Sequence, residues 1–299
     1  MKARSWNILG WTFGVAGASL LPIAGVGYGL YWNDRLVLRV AAEHAARGAT
    51  TPAEKVLRLG RFVYHQHGFR HNEGFFLFPS MRATAAQVLA GGGDCADKSR
   101  LLVALLREVG VSATPFMCMH PRTGRPAHTA VEATIGPGEH MVFDPVFDLW
   151  FPKPNDGYFG LLELRNDSSI LRRRLDELVS LRGRRTQVAV YNRADSVYAA
   201  ASTVNWDKNV ATRAAWSVLH PWLGEDIWRL RRPVVLEEPT LAAASLGAAI
   251  AAAMLSGGLG CRRRARCADR SASPAVSYGA RPSKTTGGLP RGLPQAIGG

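Results

Sequence analysis

Three residues whose side chains together make an activated thiol occur in order along the chain: Cys95, His128 and Asp144. A thiol is a weak nucleophile until a base takes its proton, and an imidazole serves best as that base when a third group orients it. Cys95 follows Gly91-Gly92-Gly93-Asp94 and precedes an apolar run in which Leu101, Leu102, Leu105 and Leu106 recur at helical spacing, with Gly110 at a natural stop. Asp94 reads as an N-cap, because its carboxylate can accept from the unpaired N–H groups of the first turn. Cys95 then lies in that turn, where the helix dipole favours thiolate over thiol. On position alone, a small core cysteine at a helix start explains the residue equally well.

Two downstream segments favour the nucleophile. HTAVEATIG, from His128 to Gly136, alternates and is rich in β-branched residues, as a strand should be. The turn Gly136 to Glu139 leads into HMVFDPVFDLWF, a second strand-like run containing Asp144. The pair predicts a hairpin with His128 on one arm and Asp144 on the other. His120 and His140 are rivals to His128, and Asp148 to Asp144. Asp94 and Asp97 read as helix-start residues. Gln87 is a candidate oxyanion donor, but Thr84 with Gln87 also reads as a capping box, and the backbone N–H of Cys95 is the simpler donor. Val111 to Met119 reads as a strand with Cys118 packed inside. A disulfide between Cys95 and Cys118 would silence the nucleophile.

GGGDCADKSRLLVALLREVGVSATPFM, then HTAVEATI, then MVFDPVFDLW, resembles the transglutaminase-like superfamily of cysteine enzymes. Gly93-Asp94-Cys95, His128 and Asp144-Pro145 match its pattern in order and approximate spacing, over roughly Thr51 to Phe151. Ala96 stands where the animal enzymes carry Trp, so the chain is similar to the bacterial and archaeal branch. The resemblance implies an α+β, papain-like core, with the nucleophile helix packed on an antiparallel sheet. It also implies catalysis by Cys95, His128 and Asp144 on a peptide or protein amide, with no cofactor and no metal.

The elements around this core point to a membrane. Lys2 and Arg4 precede an uncharged run from Trp6 to Trp32, longer than the ~20 residues that cross about 30 Å of hydrocarbon. Aromatic residues flank it, and it continues past the length of a signal-peptide core. Leu241 to Gly260 is also uncharged, and Arg262, Arg263, Arg264 and Arg266 follow at once. The expected organisation is a cytoplasmic start at 1–5, a transmembrane helix at 6–32, a linker at 33–50 and the catalytic domain at 51–160. A helical basic extension at 161–238, a second transmembrane helix at 239–260 and a basic disordered tail at 261–299 complete it. Basic flanks place both termini in the cytoplasm and the domain on the periplasmic or outer face of a bacterial plasma membrane. The lipid bilayer and cell-envelope proteins are the expected partners.

The net charge of +14 invites a nucleic-acid reading, but about half of the excess lies in the tail after Gly260, which argues against a basic binding face on the domain. His65, His67 and His71 are close enough to suggest a metal site, yet only Glu73 stands near to complete one, and a loop rim explains them better. Phe75, Phe76 and Phe78 suit a core or the wall of a substrate cleft. The helix beginning at Asp167-Ser168 carries Ile170, Leu171, Leu175, Leu178 and Leu181 on one side. Arg172, Arg173, Arg174, Arg182, Arg184 and Arg185 make it basic. Tyr191 to Leu223 also reads as helical, with Trp206, Trp216 and Trp222 as packing residues. Protease, amidase and transglutaminase chemistry all remain open, as does a catalytically silent, membrane-tethered binding module.

Overall fold

The computed structural model describes residues 3–70, 82–120, 125–182 and 198–272. Its centre is a four-stranded antiparallel meander in the order β1 (Ala113–Met119), β2 (Pro126–Gly136), β3 (Glu139–Asp144) and β4 (Leu149–Trp150). Alternation assigns its two faces. Val131, Ala133, Met141 and Phe143 join one apolar cluster with α2 (Pro52–His65), α3 (Ala85–Gly91) and α4 (Cys95–Glu108). Phe116, Cys118, Ala130, Val142 and Leu149 join a second with α5 (Leu161–Asn166) and α6 (Ser168–Arg182). The architecture is α+β, with α4, which Cys95 opens, against an antiparallel sheet.

The local start signals fold as their chemistry dictates. Thr51 with Glu54, Thr84 with Gln87, and Asp94 with Asp97 form reciprocal capping boxes that satisfy orphan N–H groups at three helix starts. Long-range contacts then fix α2 and α4. Buried Lys98 of α4 sends its Nζ to the carbonyls of Val63, Tyr64 and Gln66, closing the C-terminal end of α2. Each carbonyl orphaned there would cost about 1–3 kcal/mol. Gly60 of α2 lies flat on the sheet, since a Cβ at this position would sit 2.3 Å from the Phe143 ring.

The stretch at 33–50, expected as a linker with a short helical run over Leu36–Ala46, is helical to Ala45 as a continuation of α1 (Ala3–Ala45). Leu38 and Ala42 enter the first cluster, and Arg35 donates to Glu108 of α4 at 2.7 Å and 3.1 Å. The physical reason is length: at 1.5 Å per residue, α1 is about twice as long as a bilayer core is thick, so its last turns are free to pack on protein. The segment after residue 160 is likewise core rather than an appendage, because Leu161, Leu164, Ile170, Leu171, Leu175 and Leu178 build the second cluster. Leu181, expected on that apolar side, is 71% exposed. Arg172 and Arg173 are exposed, whereas Arg174 is buried against Trp150 and donates to its carbonyl. Arg184 and Arg185 lie outside the described residues.

Of the helix expected over Tyr191 to Leu223, residues 191–197 lie outside the described residues. Tyr198 to Asp207 is irregular, and a fresh cap at Asn209 starts α7 (Val210–Leu223). Trp206 and Trp216 pack together at 5.6 Å, but Trp222 is 86% exposed and packs nothing away from solvent. A 3₁₀ turn (Gly224–Arg229) and the short α8 (Val234–Glu237) lead to α9 (Pro239–Ala272).

Helices α1 and α9 are long and apolar enough to cross a membrane. The chain divides into a larger unit, 16–253, and a smaller one within 1–15 and 254–299. Inside the larger unit the two helices touch through small residues, with Gly27 against Ala244 and Gly247 against Ala24. Inside the smaller unit Gly10 meets Gly258, while Arg262 and Arg264 sit over the rings of Trp11 and Trp6. The start of α1 thus lies beside the end of α9, as antiparallel helices require.

Candidate active site

Cys95 is the first residue of α4. The Asp94 carboxylate accepts from the N–H groups of Ala96 and Asp97 at 2.9 Å and 3.0 Å, so the cap leaves the Cys95 N–H out of its bonds. The approach demands glycine. Gly92 has φ +80°, and a Cβ on it would press on His67; a Cβ on Gly93 would sit 2.4 Å from that of Asp97. Gly93 also receives the N–H of Arg70 on its carbonyl, which ties the loop to the chain leaving α2.

The hairpin delivers the other two residues. Val131 pairs with Phe143, and continuing that register sets Asp144 across from Ala130. His128 is one same-face step beyond, and the Ala130 methyl leaves room for its ring to reach the carboxylate. The His128 Nε2 and Asp144 Oδ2 are 2.6 Å apart. Asp144 is fully buried, and its other oxygen accepts from the Val146 N–H at 2.9 Å, an Asx-type turn at the Asp-Pro step. The Cys95 side chain interacts with the His128 ring and, like Asp144, favours its protonated form.

The electrostatics follow from this geometry. Burial pulls the His128 pKa down, but the charge and hydrogen bond of Asp144, with those of Cys95, outweigh it and raise the value to about 10. Cys118 lies across the β1–β2 ladder from His128. It is unpaired and fully buried, and burial pushes its thiol well above the ordinary range, reinforced by the charges of Asp144 and Cys95. Cys95 is also unpaired, and only partly buried, so no disulfide blocks the candidate nucleophile.

The rivals stand elsewhere. His120 is exposed at the end of β1, and His140 lines a different cleft beside Glu132 and Arg229. Asp148 sits at φ +48° in the turn after Asp144, 3.8 Å from Arg61. The Gln87 amide oxygen accepts from the Thr84 N–H, and the side chain is exposed on α3. His65 and His67 are exposed, whereas His71, Glu73, Phe75, Phe76 and Phe78 lie outside the described residues. Among the described residues no three His, Cys, Asp or Glu side chains are grouped to hold a metal ion.

Sequence reasoning missed the cleft wall. Cys95 and His128 open into a cleft of about 220 Å³ that Arg82, Arg100, Arg232 and Glu237 also line. Arg232 comes from the loop before α8, far along the chain, and no local pattern marks it.

Residues 39–145 match the family model of the transglutaminase-like superfamily. The match begins inside α1, at the stretch that packs on the domain, and ends just after Asp144. No curated protein and no solved structure shows a significant match to the chain.

Proposed function

From the transglutaminase-like domain at residues 39–145, we propose that the chain is a membrane-anchored cysteine hydrolase or acyltransferase acting on amide or peptide bonds. The observation that carries this reading is one imidazole, His128, held by Asp144 at 2.6 Å and lining one cleft together with Cys95.

The steps follow from the chemistry of these groups. His128 takes the Cys95 proton, and the thiolate attacks the amide carbonyl carbon, whose oxygen becomes an oxyanion. The Cys95 N–H, free of the Asp94 cap, faces this developing charge. Asp144 holds the ring and its positive charge. The C–N bond breaks as His128 protonates the leaving amine, giving a thioester. Water, or an acceptor amine, then attacks the thioester carbon while giving its proton to His128, and the C–S bond breaks to release the acyl group and leave the Cys95 thiolate beside the His128 imidazolium. Hydrolysis is favoured because water is abundant and no acceptor subsite is marked. The two antiparallel apolar helices support an anchor whose ends share one side of the bilayer. The basic flanks support a cytoplasmic side for those ends, with the domain outside.

The test is site-resolved alkylation of the full chain in detergent with iodoacetamide across pH, compared with His128→Ala. Cys95 is expected to react as a thiolate at pH values where an ordinary thiol of pKa about 8.5 is protonated, and the variant to lose this behaviour. If Cys95 titrates as an ordinary thiol with or without His128, the tethered binding module becomes the better account.

A further inference from the structure

The cleft beside Cys95 holds more positive charge than its own structure uses. Three guanidiniums line it, from Arg82 before α3, Arg100 on α4 and Arg232 before α8. One lining carboxylate, Glu237, faces them. Arg100 is committed to the fold: it pairs with Asp97, donates to the Ala83 carbonyl at 3.1 Å, and leaves a buried Nε without a hydrogen-bond partner. Arg232 donates through Nη2 to the Pro115 carbonyl at 3.2 Å. Its Nε lies 2.8 Å from Glu237 Oε1 but is not aligned for a hydrogen bond. Arg82 is exposed and has no ion-pair or hydrogen-bond partner among the described residues. Burial pulls the Arg232 pKa down, Glu237 opposes this, and Arg82 and Arg100 add to it by repulsion. The three cations are therefore close enough to feel one another.

Clustered like charges in a partly desolvated cleft carry a cost that an anion relieves. Guanidinium also presents its donors in a planar fork that matches a carboxylate. We propose that Arg82 and Arg232, with Arg100 behind them, form an anion-binding subsite, and that the substrate is an amide carrying a carboxylate about one residue from the bond that is cleaved. This rests on the reading of Cys95 as the nucleophile. The cleft volume of about 220 Å³ suits a substrate piece of roughly residue size, below the ~300–1,000 Å³ of drug-sized pockets.

The test compares two reagents at Cys95 of the full chain: iodoacetate, which carries a carboxylate, and neutral iodoacetamide. In both, the thiolate displaces iodide and forms a C–S bond. The rate ratio of iodoacetate to iodoacetamide cancels general changes in thiol reactivity. It is expected to exceed that of N-acetylcysteine by roughly tenfold at low salt and to shrink as salt rises. It should fall several-fold in Arg82→Gln, a side chain with no hydrogen bond or ion pair to lose among the described residues, and again in Arg232→Gln, but not in the exposed Arg173→Gln on α6. A ratio equal to that of N-acetylcysteine, or one unmoved by Arg82→Gln, overturns the subsite. The parent reading fails in a different way, when iodoacetamide alone finds an ordinary thiol. A protection arm separates anion sources: N-acetylglycine should shield Cys95 from iodoacetamide better than inorganic phosphate, and the reverse order overturns the assignment to a carboxylate.

Discussion

His128 carries opposite charge demands within one ring. It is mostly withdrawn from solvent, with 14% of its side chain exposed, which disfavours the imidazolium, yet it touches a fully buried carboxylate that favours it, and the carboxylate wins. The folded pKa of about 10 exceeds the ordinary 6.5. Stabilisation by this proton is therefore complete below about pH 6.5 and is lost as pH rises through about 10. Histidine-selective NMR on the full chain should find the His128 ring still protonated at pH 8, and thermal stability should decline from there towards pH 10. Asp144→Asn removes the opposing charge, so the ring should lose its proton several pH units earlier and the alkaline decline should flatten. Amide cleavage, once a substrate is found, should drop by about 10²–10⁴-fold in that variant, the usual range for a disabled acid–base pair. A wild-type ring that titrates near 6.5 would refute the ion-pair account.

At the scale of elements, the site depends on how closely α2 and α4 approach the sheet. Gly60 permits that approach over Phe143, whose ring stacks with Trp150 at 6.1 Å and directly precedes Asp144. A methyl at residue 60 has no room. Gly60→Ala should destabilise the fold by about 1–3 kcal/mol, as overpacking does, and thermal melts of the variant would show it. Phe143→Leu in the same chain should recover part of the loss, and melts that are additive instead would place the strain elsewhere. Lys98 works at the same scale: it rides on α4 yet closes the end of α2, so the helix bearing Cys95 and α2 are fixed as a pair. The three helix caps were legible in the sequence because each is a contact between residues three apart. Gly60 and Lys98 were not, because their partners are 32 to 83 residues away in the numbering.

For the whole molecule, the end of α1 is both tether and core. Arg35 and Arg39 meet the wholly buried Glu108 side chain, and Leu38 and Ala42 pack among the helices of the domain. The antiparallel helices and their basic flanks predict one topology. In a bacterial host, a fluorescent reporter that matures only in the cytoplasm should be active at the C-terminus. A phosphatase reporter active only outside should work when inserted at residues 153–157. The opposite pattern would invert the proposed orientation and move the substrate to the cytoplasmic side.

Local and short-range order settled much of this protein in advance. Apolar periodicity marked α4, uncharged length marked the two long helices, capping chemistry marked three helix starts, and alternation around a tight turn set His128 and Asp144 on one hairpin. These features rest on residues near one another in the chain, where backbone geometry alone fixes the outcome. The tertiary structure decided what distance hides: that 33–45 belongs to the core, that α6 covers the second face of the sheet, and that Arg82, Arg100 and Arg232 share the wall beside Cys95. Such contacts depend on how whole elements pack, and packing is a property of surfaces that only the assembled fold brings together.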